Sequence, residues 1–314
     1  MDFLFWNNWL LLAGLTPALW AVSCLIDVCC IGERVFQYPS DGPIISGLFC
    51  VLPLALLCVE PGSWEAVTFS LAWPALLAGM CYFLHLYFVF RALFTINDAT
   101  CSEIFNTLTV FVVPVMAFGM LGERLAPISY VAIVLAVLGI LVLIRYHFSR
   151  LHRQATAWLT LAVLSISLTM VLQAWVFERI AYWNGIVLFA MGTFMTALFI
   201  CSLQRTRLQR IVGLCRRFWK IFLLAELLQL AAVLASQRAT DIGPSVSFVA
   251  VVECSLPLFV MLFSSGLLLI SERWKAMSQE SHDTLLLQTT SIPVKLTSVA
   301  FILCAIVMVQ AKAS

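Results

Sequence analysis

Two glutamates, Glu103 and Glu253, lie 150 residues apart in stretches that are otherwise apolar. A charge near the centre of a bilayer costs on the order of 2.5–3.5 kcal/mol on insertion scales, so an acid there is a functional candidate by default. An ionised carboxylate in hydrocarbon must be paired, protonated or hydrated, which suits it to holding a cation or exchanging a proton. A third acid, Glu226, stands in a Leu- and Ala-rich run with Gln229 and Gln237 at i+3 and i+11. Thr100, Glu103 and Thr107 fall at i, i+3 and i+7 with Asn106 adjacent, which puts a polar stripe on one face of a helix. Ser165, Thr169 and Gln173 follow one another at i+4 steps, and Thr16, Trp20, Ser23 and Asp27 form a further stripe. His85, one turn after Tyr82, is the only histidine clearly inside an apolar run and is a relay or substrate-contact candidate. The candidates for substrate or coupling-ion contact are thus Glu103, Glu253, Glu226, His85, Asn106, Thr107, Gln229 and Gln173. For the hydroxyls and amides the competing role is hydrogen bonding between helices, worth about 0.6 kcal/mol each.

Positioning these side chains requires a membrane. Of the 314 residues 62% are hydrophobic and only 11% charged, and the mean hydropathy is +1.02, whereas a soluble domain is about 45–50% apolar. A bilayer core of about 30 Å needs roughly 20 apolar residues per helix. Runs of that kind are expected near 5–30, 43–59, 66–92, 98–121 and 127–145, and then near 157–177, 184–203, 218–237, 244–270 and 292–311. Trp64, Trp158, Trp183, Trp219 and Trp274 lie at the ends of these runs, where an indole prefers the headgroup level. The expected architecture is an all-α polytopic membrane protein of ten transmembrane helices. Pro17, Pro74, Pro114 and Pro257 fall inside spans, and Pro114 and Pro257, in the two glutamate helices, are the candidate kinks. The amino terminus has no basic n-region, so it reads as a first span and not as a cleaved signal.

The same composition excludes other classes. A net charge of +2 from 18 dispersed Lys and Arg offers no clustered basic face for nucleic acid. Eleven cysteines lie in apolar runs with no C-x-x-C pair, which suits buried thiols and leaves metal and cofactor sites unexpected. No connection is much longer than about 20 residues, the candidates being 204–217 and 275–291, so no extramembrane catalytic domain fits. Without G-x-S-x-G, H-E-x-x-H or a second intramembrane histidine, an intramembrane enzyme is the weakest reading, and a non-transporting scaffold or receptor remains an alternative. Glu123-Arg124 and Ser271-Glu272-Arg273 read as surface pairs with a structural role.

The chain repeats itself. SEIFNTLTVFVVPVMAFGMLGERL from Ser102 matches VECSLPLFVMLFSSGLLLISERW from Val252 in its early Glu, inner Pro and terminal Glu-Arg. Five helices per half is an odd number, so the halves, 1–150 and 151–314 with an insertion around 275–291, are expected as inverted repeats. The five-plus-five plan, Ala18 to Ala21 in the first helix, and Gly122-Glu123-Arg124-Leu125 before a helix with a central Gly139 resemble the drug/metabolite transporter superfamily, specifically its EamA-type members. The resemblance spans nearly the whole chain, with Ser271 and Ala305 departing from the first half's pattern. It implies a secondary carrier in a bacterial inner membrane, commonly an exporter of amino acids or other small metabolites, working by alternating access.

No Lys or Arg sits firmly at mid-membrane, because Arg91 and Lys295 lie near helix ends. A neutral, zwitterionic or cationic substrate therefore fits better than a phosphorylated one. The expected partners are that small molecule, membrane lipid and protons as coupling ion. Of the 18 Lys and Arg, 14 fall in the connections after helices 1, 3, 5, 7 and 9, so the positive-inside rule places both termini on the non-cytoplasmic side. EamA-type carriers usually have both termini inside.

Overall fold

The computed structural model describes residues 6–54, 67–96, 99–147 and 153–274, with isolated positions between 282 and 308. Every described element is a helix: α1 (Trp9–Gly32), α2 (Asp41–Phe49), α3 (Val51–Leu54), α4 (Phe69–Ile96), α5 (Ala99–Asn106), α6 (Thr109–Leu121), α7 (Pro127–His147), α8 (Arg153–Phe177), α9 (Tyr182–Ser202), α10 (Arg205–Ile242), α11 (Val246–Glu253) and α12 (Leu256–Trp274). Helices are what such a sequence must form in lipid, since only they and closed barrels satisfy every backbone group internally.

Among the described residues seven helical stretches are long and apolar enough to cross a membrane: Trp9–Gly32, Phe69–Ile96, Ser102–Leu121, Arg153–Phe177, Tyr182–Ser202, Arg205–Ile242 and Val246–Leu269. Asp41–Leu54 and Pro127–Gly139 are shorter apolar helices. The expected span at 292–311 and the insertion at 275–291 lie outside the described residues except at isolated positions. Large apolar side chains such as Phe111, Val115 and Phe118 of α6, and Leu224 and Leu227 of α10, face outward. So much exposed apolar surface is the make-up of an integral membrane protein.

In the interior, α4 packs against α8 and α9, α1 against α10 and α12, α6 against α8 and α11, and α2 against α9. Without a hydrophobic driving force between helices in lipid, close approach of small residues and interhelical hydrogen bonds must hold them. The α4–α9 crossing does both. A Cβ on Gly79 would stand 2.1 Å from the Phe189 carbonyl oxygen, and one on Gly192 would stand 2.2 Å from the Leu76 carbonyl oxygen, so the two backbones touch. Thr193 Oγ1 donates to the Gly79 carbonyl at 3.0 Å across this contact. Thr169 Oγ1 donates to Ala78 O at 3.2 Å to tie α8 to α4, and Tyr182 OH to Leu234 O at 2.9 Å to tie α9 to α10.

One expectation is corrected. The basic stretch 204–217, read from sequence as a connection, is helical from Arg205 and forms the first third of α10, which kinks at a non-helical Phe218 (φ −117°, ψ 21°). Arg, Leu and Gln are good helix formers. Ile211 is buried in a cluster with Phe36, Ile44 and Phe222, which anchors the arm to the body. Arg210 fixes it further. Its guanidinium donates twice to Asp41 Oδ1, at 2.8 and 3.1 Å, while Asp41 Oδ2 accepts the Gln37 and Tyr38 amides.

At the opposite end of α6, Gly122 closes the helix at φ 69°, a left-handed conformation that favours glycine. Glu123 then accepts from the Ser245 hydroxyl at 2.5 Å, and the same Ser245 oxygen caps α11 by accepting the Ser247 and Phe248 amides. Glu123 therefore joins the end of α6 to the start of α11.

Candidate functional site

The two glutamate helices are both interrupted just past the acid. In the first, Glu103 lies in α5, and the turn at Thr107–Leu108 separates α5 from α6. The ladder tightens there: Leu108 N donates to Phe105 O and Val110 N to Thr107 O, each skipping back three residues instead of four. In the second, α11 ends on Glu253, and Ser255 N donates to Val252 O and Leu258 N to Ser255 O in the same short pattern. Pro257 supplies a cause for this second break, because it has no N–H to offer the Glu253 carbonyl one turn back. Pro114 lies inside α6, past the first break. There the Thr107 hydroxyl bonds back to Ile104 O at 2.5 Å, a local competitor of the helical ladder.

These breaks border a partly open cavity of about 110 Å³. Trp20, Cys24 and Asp27 of α1 line it, with Tyr82, His85 and Phe90 of α4, Glu103 and Asn106 of α5, Thr107 at the break, Gln229 of α10 and Glu253 of α11. Ile166 and Met170 of α8 and Leu86, Val89 and Leu93 of α4 supply apolar wall. Three carboxylates converge and no Lys or Arg is among the lining residues. Glu103 is buried and accepts from Asn106 Nδ2 at 3.3 Å and from the Cys24 thiol at 3.6 Å. Glu253 has a buried Oε1 with no hydrogen-bond partner among the described residues, and the Asn106 Oδ1 is likewise without one. His85 Nδ1 stands 3.1 Å from the Ala162 carbonyl oxygen. A carbonyl only accepts, so Nδ1 carries the proton in that bond and neutral His85 keeps Nε2 as its acceptor.

A second, smaller cavity adjoins the first and is lined by Ser46, Glu226, Gln229, Gln237 and Tyr82. Tyr82 and Gln229 belong to both, and they form the partition: Ser23 Oγ donates to Gln229 Oε1 at 3.1 Å and Gln229 Nε2 donates to Tyr82 OH at 3.0 Å. Behind it, the Ser46 hydroxyl donates to Glu226 Oε1 at 2.6 Å.

Six of the eight sequence candidates therefore line the main cavity: Glu103, Glu253, His85, Asn106, Thr107 and Gln229. Glu226 lines the neighbouring one. Gln173 is buried in α8 with Nε2 unpartnered among the described residues, and lines neither cavity. Asp27, Cys24 and Trp20 were not among those candidates, although the stripe Thr16, Trp20, Ser23 and Asp27 was visible in α1. Among the described residues no three His, Cys, Asp or Glu side chains converge closely enough to hold a metal ion.

No family model matches this chain, and no curated protein does. Its fold is better attested: 28 chains of known structure match it. One of these, described only as a crystal structure of a protein, superposes with a TM-score of 0.60 at 15% identity over 97% of each chain, a likeness of fold alone.

Proposed function

We propose that this chain is a secondary active carrier for a small metabolite, built as ten transmembrane helices in two inverted five-helix halves, 1–150 and 151–314. The observation that carries the reading is a hydrated-sized cavity inside an apolar helical body, walled by Asp27, Glu103 and Glu253 with no cationic side chain among its lining residues. A membrane protein gains nothing structurally from three acids lining an interior cavity without counterions, whereas a binding site for a cationic group needs such a field. Interrupted helices at such a site are the arrangement that secondary carriers use.

The packing supports the inverted-repeat reading. Exchange of the two halves turns the α1–α10 contact into the α4–α8 contact, and the α6–α8 contact into those of α1 with α11 and α12. The interrupted helices α5–α6 and α11–α12 are exchanged in the same way. On this reading the chain is an EamA-type member of the drug/metabolite transporter superfamily in a bacterial inner membrane, with both termini on the non-cytoplasmic side. Within the expected range of amino acids and similar compounds, the acid-rich lining favours a substrate bearing an amine. Alternating access would pass through the partition of Ser23, Gln229 and Tyr82, and the cavity acids would exchange protons against the substrate.

The test compares small molecules inside and outside cells expressing wild type or the double variant Glu103→Gln, Glu253→Gln at matched membrane abundance. A compound that redistributes with wild type alone, with flux reduced at least about tenfold in the variant, is the expected result. Redistribution by both removes the glutamates from the mechanism. Redistribution by neither moves the weight to a non-transporting scaffold or receptor. A reporter fused after Ser314 that is active only in the cytoplasm is expected to stay silent, and a strong signal would reverse the orientation.

A further inference from the structure

The basic arm of α10 contributes no lining residue to either of the two cavities. Arg205, Arg216, Arg217 and Lys220 are exposed, and among the described residues none of them makes a salt bridge. Arg207 and Arg210 are accounted for, the first by the Ile200 carbonyl at 2.6 Å and the second by Asp41. Exposed Leu208, Val212 and Trp219 are interleaved with these cations, so the arm is amphipathic on its outer side as well as anchored on its inner one. Long cationic side chains beside exposed apolar ones and an indole suit the boundary between headgroups and acyl chains.

Directly beyond Lys220, Ile221 lines an open apolar groove of about 760 Å³. Its other walls are α1 (Val22, Ile26 and Cys29) and α12 (Leu262, Phe263 and Leu267). Along α1 the lining runs from Val22 to Glu33, roughly 16 Å at about 1.5 Å per residue, enough for the greater part of an acyl chain. The far end of that lining, at Glu33 and Val35, is the end where Arg34 is exposed. Asp41 and Arg210 tie this α1–α2 connection to the α10 arm, so both basic segments flank the same end of the groove. Glu33 is the single acid among the lining residues, whereas Arg34 follows it in the chain and the α10 arm that leads to Ile221 exposes Arg216, Arg217 and Lys220.

We propose that this groove holds one anionic phospholipid, its acyl chain between α1, α10 and α12 and its phosphate on the cations of the α10 arm. The occupant is a lipid and not a soluble anion, because the cations stand at the mouth of an apolar slot of acyl length. Its charge is negative overall, because among the described residues the exposed cations of the α10 arm and Arg34 outnumber the one acid that lines the groove. Each surface Lys or Arg adds about 1 kcal/mol of attraction to anionic headgroups, so three of them account for about a hundredfold preference over a zwitterionic lipid. The site stands apart from the acid-lined cavity and does not depend on the transport reading.

The experiment uses the full chain purified in uncharged detergent, with melting temperature and retained lipid, read by native mass spectrometry, measured on addition of phosphatidylglycerol, phosphatidylcholine or inorganic phosphate. Phosphatidylglycerol alone is expected to stay bound and raise the melting temperature. The triple variant Arg216→Gln, Arg217→Gln, Lys220→Gln is expected to lose the roughly hundredfold preference. Gly266→Leu tests the slot independently of charge, since a Cβ at Gly266 of α12, another groove residue, meets nothing within 4 Å and the variant should fold. It is expected to weaken phosphatidylglycerol binding while leaving the lipid-free melting temperature in place. Equal binding of the two lipids, stabilisation by inorganic phosphate equal to that by phosphatidylglycerol, or undiminished binding by Gly266→Leu would each overturn the proposal.

Discussion

Asp41 and Glu253 are acids in the same apolar molecule, and they are treated in opposite ways. Asp41 is fully buried, yet both of its oxygens are occupied: Oδ1 by the Arg210 guanidinium and Oδ2 by two backbone amides of the α1–α2 connection. Arg210 in turn lies over the Tyr38 ring at 4.1 Å. Glu253 faces a cavity with one oxygen unpartnered among the described residues, and the lining adds two further acids, Asp27 and Glu103, and no Lys or Arg. A carboxylate that is completed by the protein holds the fold; one left incomplete is available to something else. Glu226 stands between these extremes, in the smaller cavity with the Ser46 hydroxyl donating to one of its oxygens.

That contrast orders the expected effects of substitution on stability. Asp41→Ala should cost the most, about 3–5 kcal/mol, because it leaves a largely buried guanidinium and two amides without their acceptor. Unfolding in detergent followed by temperature or denaturant measures it, and a loss under about 1 kcal/mol would erase the distinction between the two regions. Ser46→Ala should cost about 1–3 kcal/mol by leaving the Glu226 carboxyl without that hydrogen bond. Glu253→Gln should change stability by less than about 1 kcal/mol, since the amide fills the same space and its oxygen can still accept from the Ser236 hydroxyl. A cost for Glu253→Gln as large as that of Asp41→Ala would make Glu253 a structural acid. Thr193→Val, which removes the Gly79 bond from outside both regions, sets the scale of an ordinary interhelical hydrogen bond at about 0.6 kcal/mol.

Much of this was legible in the sequence, for a physical reason. Hydrocarbon forbids unpaired backbone, so long apolar runs become helices, and the acids within them are visible against that background. Glu103, Asn106 and Thr107 sit at helical spacing and do line one cavity. Asp27 was legible only as the last member of a stripe on the first helix, since its helical spacing gives a face and not which neighbouring helices close a cavity over that face. The Asp41–Arg210 pair spans 169 residues, and no local pattern announces a pairing at that range. The arm at 205–217 was hidden by its charge, which reads as a connection in a membrane chain until Ile211 is seen to be buried. Pro257 marked the break after Glu253, whereas the break after Glu103 lies before Pro114 at a threonine that bonds to its own helix.

The crossing of α4 and α9 also fixes a datum. With carbonyl oxygens where Cβ atoms would have to stand at Gly79 and Gly192, α4 cannot slide along α9 without breaking backbone contact. Tyr82 and His85 lie one and two turns beyond Gly79 on the same helix, so the wall they form keeps its height relative to α9. Pairs of spectroscopic labels placed on α9 and on α1, α5 or α11 can then be read in a common frame, in which any change of distance belongs to the opposite wall.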